Sequence, residues 1–190
     1  MKIFLAKKSE IQKTVSNFDT VFISKKRNIE HQIGRFLTKY IAKNMFNLTN
    51  TEIITKDKKP VLASSDLKFS ISHSEDYVAV AFSKKEIGLD IEKYKERNLE
   101  KLSKYFNKNF DNQEDFYKYW TLFEANYKSN LTNENKTSFK YNDYYIAISS
   151  LEECDDIKFY DVLNLTKTTT TLENLELDFR EIDKTFFISI

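Results

Sequence analysis

Apolar and polar residues follow two different periods along this chain, and these periods predict its strands and helices. Alternation at every second residue places side chains on opposite faces of a strand, whereas spacings of three and four place them on one face of a helix. Helical spacing predicts long helices over 25–46 and 111–131, the second with Asp111 or Asn112 as its N-cap. A polar stretch before the first helix leads to the apolar triplet 21–23. Alternating segments predict strands over 2–6, 67–72, 77–82, 87–91, 144–149, 157–162, 175–179 and 185–190.

The remaining segments are shorter and more polar. Residues 93–110 are strongly charged and are expected to be partly helical, and 56–60 holds the only proline and is expected to turn. The threonine-rich run 166–171 is interpreted as a hairpin connection or a strand edge. The order strand, helix, strands, helix, strands predicts an α+β fold with two halves of similar plan, residues 1–95 and 96–190.

Composition excludes several classes of protein. The chain has 190 residues with 30 basic and 29 acidic side chains, so it has no broad positive field for nucleic acid or for an anionic membrane. No stretch approaches the roughly 20 apolar residues that span a bilayer. The single Cys154 fits a reducing cytosol, and the acidic run 152–156 would raise its pKa and disfavour a thiolate. We therefore expect a soluble cytoplasmic protein in which Cys154 is structural.

The segment 87–92, Ile-Gly-Leu-Asp-Ile-Glu, holds the first candidate chemistry. On a strand its larger apolar residues line one face, and Asp90 and Glu92 lie together on the other. Neighbouring carboxylates repel each other unless water, a proton or a cation compensates them, and Mg²⁺ commonly takes one or two protein carboxylates and completes its shell with water and phosphate. A solvated strand face is the simpler alternative. Gly88, beside the pair, indicates a close approach by backbone or ligand.

Two further segments carry candidate functional groups. Residues 72–74, Ser-His-Ser, are expected to end a strand in a turn whose donors suit a phosphate. A plain hydrogen-bonded turn is the alternative, and a Ser-His nucleophile pair is geometrically poor because neighbouring strand residues point to opposite faces. On the second helix Trp120, Glu124 and Lys128 share one face at i, i+4 and i+8. A surface Glu–Lys pair would explain two of them, although the only tryptophan on the same stripe favours a packed face.

In chain order, these motifs resemble those of the 4'-phosphopantetheinyl transferases of the Sfp type. They are Lys-Pro at 59–60, F-x-I-S-H-S at 69–74, I-G-L-D-I-E at 87–92 and W-x-x-x-E-A-x-x-K at 120–128. The resemblance runs from about residue 27 to 128, and the strand-rich tail fits the family's fold in outline. It implies transfer of the phosphopantetheine arm of coenzyme A to a serine of an apo acyl carrier protein or peptidyl carrier domain. The reaction would use Mg²⁺, with Mn²⁺ as a possible substitute, and would release 3',5'-ADP.

The resemblance also implies a fold and a set of residue roles. The fold would be a monomeric pseudo-dimer of two α+β halves, each a long helix packed on a small, mostly antiparallel sheet, with the active site in the cleft between them. Asp90, Glu92 and Glu124 would hold the metal, Glu124 would also act as base toward the carrier serine, and Lys128 would neutralise the pyrophosphate. The segment 104–106 resembles the family's basic-aromatic segment near the carrier docking surface. The residues implied to bind coenzyme A are Lys59, Pro60, Ser72, His73, and Arg35 or Lys39.

One position departs from the family pattern. The family usually has Lys before the helix glutamate, whereas this chain has Phe123, which removes a positive charge near the implied metal. Two alternatives to the transferase remain, and Phe123 motivates only the first of them. The protein could be a non-catalytic family member that binds coenzyme A or a carrier, or a different Mg²⁺-dependent enzyme, such as a phosphoesterase or nuclease, that uses the same carboxylates.

Overall fold

The computed structural model describes residues 1–18, 25–57, 59–131 and 135–190 and has a mixed α+β architecture. Two 3₁₀ turns, Leu172–Asn174 and Lys184–Phe186, flank the tenth strand. The strands and α-helices are, in chain order, β1 (Lys2–Lys7), α1 (Lys8–Thr14), α2 (Lys25–Phe46), β2 (Ile53–Lys56), β3 (Lys59–Leu62), β4 (Lys68–Ser74), β5 (Tyr77–Ser83), β6 (Ile87–Lys93), α3 (Leu99–Phe106), α4 (Gln113–Ser129), β7 (Asn135–Tyr141), β8 (Tyr144–Ser150), β9 (Lys158–Asn164), β10 (Leu177–Ile182) and β11 (Ile188–Ser189).

The described strands form two sheets and a separate hairpin. The first sheet has five strands in the order β10-β9-β1-β5-β4, and the second has four in the order β11-β7-β8-β6. Strands β2 and β3 pair only with each other. Pairing is antiparallel except between β1 and β9, which are parallel. Both sheets contain strands from either side of residue 95, and the division into halves at that point stays a prediction.

Alternation in the central strands builds a layered core. In β1, Phe4 and Ala6 join the apolar cluster beneath α2, whereas Ile3 and Leu5 join a second cluster shared with β6 and β8. The five-stranded sheet is therefore buried on both faces, with α2 on one side and the second sheet on the other. A third, mainly aromatic cluster lies under α4 around Tyr117. None of the described helices is both long and apolar enough to cross a membrane.

Both predicted long helices are confirmed. Helix α2 spans the predicted 25–46, and α4 begins after Asn112, whose side chain accepts a hydrogen bond from the backbone N–H of Asp115. Helix α4 ends at Ser129, two residues earlier than predicted, because Asn130 adopts a left-handed conformation with φ 57°. The apolar triplet 21–23 lies outside the described residues.

Several shorter elements differ from the prediction. Part of the polar stretch after β1 forms helix α1, and strand β7 is an element that the alternation did not predict. The strand predicted over 185–190 is mostly a 3₁₀ turn followed by the two-residue β11. The Ser-His-Ser motif lies inside β4, and the turn comes after it at 75–76. The threonine-rich run does connect the antiparallel pair β9 and β10, as one interpretation predicted.

The only two glycines of the chain both lie where a helix packs closely against a strand. A Cβ atom on Gly88 of β6 would lie 1.8 Å from the Ala125 carbonyl oxygen and 2.6 Å from the Ser129 nitrogen, both in the backbone of α4. A Cβ on Gly34 of α2 would lie 2.7 Å from Cγ2 of Ile71 in β4. The predicted close approach at Gly88 is confirmed, and it brings α4 directly onto the strand that carries the carboxylates.

Candidate functional site

Strands β4 and β6 belong to different sheets and are joined by serine side chains. Because β6 is an edge strand, paired only with β8, its outer N–H groups need partners from elsewhere. The hydroxyls of Ser70, Ser72 and Ser74, here called the serine ladder, supply them. Their Oγ atoms accept hydrogen bonds from the backbone N–H groups of Leu89 at 3.0 Å, Ile91 at 3.3 Å and Lys93 at 3.0 Å.

Two members of the serine ladder also hold the paired carboxylates. Ser72 Oγ donates to Asp90 Oδ1 at 2.9 Å, and Ser74 Oγ donates to Glu92 Oε2 at 2.9 Å. The Trp120 indole N–H donates a longer bond, 3.4 Å, to Glu92 Oε1. Asp90 is only 4% exposed. A freely solvated strand face is therefore the wrong interpretation for Asp90.

Lys128 of α4 is the cation that faces Asp90. Its Nζ lies 2.8 Å from Asp90 Oδ1, 3.0 Å from Ser72 Oγ and 3.1 Å from the Leu89 carbonyl oxygen, so each ammonium proton has an acceptor. The other oxygen of Asp90, Oδ2, is buried without a hydrogen-bond partner, and it is the only such side-chain oxygen or nitrogen among the described residues. A buried carboxylate oxygen without a hydrogen-bond partner is compensated either by a proton or by a further cation.

The three predicted metal ligands share a raised pKa. Burial raises the pKa of Asp90, and the Lys128 ammonium partly opposes that rise. Burial raises the pKa of Glu92 and of Glu124, and the charge of Asp90 adds to both shifts. Because Glu124 is affected by the charges of both Asp90 and Lys128, it belongs to the same electrostatic site.

Asp90, Glu92 and Glu124 do not form a preorganised metal-binding site. No group of three or more His, Cys, Asp and Glu side chains within the described ranges is positioned to hold a metal ion. The Lys128 ammonium also occupies one oxygen of Asp90. The Oδ2 atom of Asp90, which has no hydrogen-bond partner, is the acceptor that this residue would offer to a Mg²⁺ ion, and phosphate and water would complete the shell of the ion.

His73 points to the opposite face of β4 from the serine ladder, as neighbouring strand residues do. Its Nδ1 lies 3.3 Å from Glu30 Oε2 in α2, and Glu30 Oε1 accepts a 2.6 Å hydrogen bond from Lys8 Nζ. Lys8 and Glu30 are buried, whereas the His73 side chain is 39% exposed. Burial lowers the pKa of His73, and the Glu30 carboxylate partly opposes this. Ser72 and His73 therefore form no nucleophile pair, in agreement with the sequence argument.

A cavity of about 460 Å³ lies beside the Asp90–Lys128 pair. Lys59, Pro60, Lys68 and Lys128 line it, so two residues predicted to bind coenzyme A share one cavity with the predicted pyrophosphate lysine. Lys59 Nζ also donates to the Ser129 carbonyl oxygen at the end of α4, at 3.0 Å. Asp57 and Glu86 line the same cavity, and Lys68 pairs with Glu86 at 3.1 Å, so Lys59 and Lys128 are the lysines that would meet an anionic ligand.

The first-helix candidates for coenzyme A lie apart from this cavity. Arg35 Nη2 donates to the Ile53 carbonyl oxygen at 3.0 Å and so ties α2 to the β2–β3 hairpin. Lys39 is exposed on the same helix. Neither residue is among those that line the cavity.

A second cavity, also about 460 Å³, adjoins Glu92 on the side of α3. Tyr105, Phe106 and Trp120 contribute to its lining, together with Glu92 and Arg97. It contains two residues of the predicted basic-aromatic segment 104–106, and Tyr105 is 81% exposed. Nearby, Phe123 is 48% exposed and stacks on Trp120 at 5.9 Å between ring centroids.

The sequence did not predict several residues that bond the candidate site residues. Lys8, Glu30 and the carboxylate-binding role of Ser74 carry no local signal, because their partners lie far away in sequence. The alternation of Ser70, Ser72 and Ser74 is visible and indicates that three hydroxyls share a face, but not what they contact.

Comparison with known proteins adds no family to this geometry. No protein-family model matches the chain, and no curated protein matches its sequence.

Proposed function

We propose that this protein is a 4'-phosphopantetheinyl transferase of the Sfp type, which transfers the phosphopantetheine arm of coenzyme A to a serine of an apo carrier protein. The observation that carries the proposal is the 2.8 Å contact between Lys128 Nζ and Asp90 Oδ1. It joins the third and fourth motifs of the resemblance. Ser72 of the second motif bonds both residues, and Lys59 and Pro60 of the first line the adjoining cavity.

The cavity beside Lys128 would take the phosphates of coenzyme A. Lys59 and Lys128 lie on its wall and would neutralise the leaving 3',5'-ADP. A Mg²⁺ or Mn²⁺ ion held by Asp90 and Glu92, with Glu124 as the expected third ligand, would neutralise charge on the pyrophosphate.

Glu124 would accept the proton of the carrier serine. The raised pKa of its partly exposed carboxyl supports a role as base, since a catalytic base works best with a pKa close to the working pH. The serine oxygen then bonds to the phosphorus that bears the pantetheine arm. The bond from that phosphorus to the bridging oxygen breaks, and 3',5'-ADP leaves with the electron pair.

The same proposal extends to the architecture. It requires a monomeric pseudo-dimer with halves 1–95 and 96–190, a site in the cleft between them and a carrier that docks near 104–106, in the cytoplasm. Two observations support the plan of one long helix packed on each sheet, although each sheet also takes strands from the other half: α2 packs on the five-stranded sheet, and α4 packs on the four-stranded sheet.

Mass spectrometry of an apo carrier protein tests the proposal. The protein is incubated with coenzyme A, Mg²⁺ and either an acyl carrier protein or a peptidyl carrier domain, and we expect the carrier to gain one phosphopantetheine. A chelator and the Glu124→Gln variant should abolish the gain, whereas Glu181→Gln, which changes an exposed residue of β10, should not. No gain with any carrier would contradict the proposal, and coenzyme A hydrolysis without a carrier would favour a phosphoesterase.

A non-catalytic member of the family is the second candidate. Two observations favour it: the Lys128 ammonium pairs with Asp90, and Phe123 stands where the family has a lysine. Coenzyme A binding by calorimetry, together with an unmodified carrier, would identify this case.

A further inference from the structure

The hydroxyl of Ser72 is fully used inside the protein. A serine hydroxyl has one proton to donate and two lone pairs that accept. Ser72 Oγ donates to Asp90 Oδ1 and accepts from the Ile91 N–H and from Lys128 Nζ. A phosphate could bond this hydroxyl only by displacing one of these partners.

Ser74 repeats the arrangement two residues further along. Its Oγ donates to Glu92 Oε2 and accepts from the backbone N–H of Lys93. Two serines spaced i and i+2 on β4 therefore bind two carboxylates spaced i and i+2 on β6. Each serine engages one oxygen of its carboxylate, and for Asp90 the other oxygen stays open.

In this arrangement each of the two carboxylates, which repel each other, accepts a hydrogen bond from a serine hydroxyl. A hydroxyl donor fixes the orientation of each carboxylate without adding charge, and hydrogen bonds to metal-ligating carboxylates typically set their affinity for the ion. The hydrogen bonds that the serine hydroxyls accept from the β6 backbone do not depend on the carboxylates, because Ser70 accepts the same kind of bond from the Leu89 N–H. Within the described residues Ser70 bonds neither carboxylate. A change at Ser70 therefore measures the effect of the backbone hydrogen bond alone.

We infer that Ser72 and Ser74 are positioning residues that hold the Asp90 and Glu92 carboxylates for a divalent cation. The inference deepens the proposed function and rests on it for the role of the cation.

Mn²⁺ binding tests the inference separately from transfer. Free Mn²⁺ is followed by electron paramagnetic resonance in titrations of the protein without coenzyme A, so that a lost phosphate contact does not contribute to the result. We expect Ser74→Ala to weaken Mn²⁺ binding about tenfold and Ser74→Thr, which keeps the hydroxyl, to restore it. Ser72→Ala should weaken it at least as much, because Ser72 holds the more deeply buried carboxylate.

Ser70→Ala is the matched control. It removes a backbone contact of the same kind, so it should lower the urea midpoint of unfolding while keeping Mn²⁺ affinity within about twofold. Equal Mn²⁺ affinity in Ser74→Ala and the parent protein, or equal weakening in Ser70→Ala, would overturn the inference. Absent transfer with serine-dependent Mn²⁺ binding would instead overturn the proposed function and leave the inference standing.

Discussion

Asp90 is a buried carboxylate with one oxygen engaged and one oxygen open. Ser72 and Lys128 bond Oδ1, and the described structure gives Oδ2 no partner. Burial raises the pKa of Asp90 in spite of the ammonium beside it. A carboxyl whose pKa rises on folding binds its proton more tightly in the folded protein, so it costs stability at neutral pH and the cost disappears as pH falls through the folded pKa.

Replacement of Lys128 by Met should increase the free-energy cost of burying the Asp90 carboxylate. The variant leaves the Asp90 charge buried without its counterion, and we expect it to lower the free energy of unfolding by about 2 kcal/mol at about pH 7. Because Asp90 can then become protonated, the loss should shrink as the pH approaches about 5. Urea unfolding at both pH values measures this.

Lys158→Met is the control, since Lys158 makes an exposed 3.6 Å pair with Glu181. Its effect should stay below about 0.5 kcal/mol. A Lys128→Met deficit of the same size at both pH values would contradict the role given to Asp90.

His73 depends on the buried pair behind it. Glu30→Gln removes the carboxylate that opposes the lowering of the His73 pKa, and it leaves the buried Lys8 ammonium without its counterion. We expect a lower His73 pKa in NMR titration and a loss of about 3 kcal/mol in unfolding free energy. The only other histidine, His31, serves as an internal reference and should keep its pKa. An unchanged His73 pKa would show that Glu30 does not influence it.

At the scale of elements, the site depends on how closely α4 lies on β6. The backbone of α4 passes so near Gly88 that no Cβ fits there, and this places Glu124 and Lys128 over the carboxylate strand. The contact at Gly34 involves only the side chain of Ile71, which can shift. The two glycines therefore differ in the backbone movement that a substitution demands.

Gly88→Ala should destabilise the protein by about 3 kcal/mol, because α4 must move away from β6. Gly34→Ala should cost less, since alanine also favours the helix by up to about 1 kcal/mol. Thermal unfolding of both variants measures the difference. Equal midpoints would mean that α4 is free to shift and does not fix the site.

The helices and strands differ in how well the sequence predicts them. Helix α2 and strand β6 follow strong apolar periods, so their positions and faces are predictable. Helix α1 has only seven residues, too few for a clear helical period, and β7 is largely polar. The alignment of β4 beside β6 was not predictable either, because it depends on long-range contacts between two sheets.

At the scale of the whole molecule, the two sheets pack face to face and bring segments from both ends of the chain together. Strand β1 lies between β5 and β9, and β6 pairs with β8, so each sheet combines early and late strands. The candidate site lies where β4 and β6 meet across the sheets and α4 covers them. Its assembly therefore requires both parts of the chain.

The most direct test of the proposed transfer is the intact mass of an apo carrier protein after incubation with coenzyme A and Mg²⁺. The parent protein should add one phosphopantetheine to the carrier, and Asp90→Asn should add none. Asp178→Asn, which changes an exposed strand aspartate of the other sheet, should act like the parent. An unmodified carrier with the parent protein, or full modification by Asp90→Asn, would contradict the account.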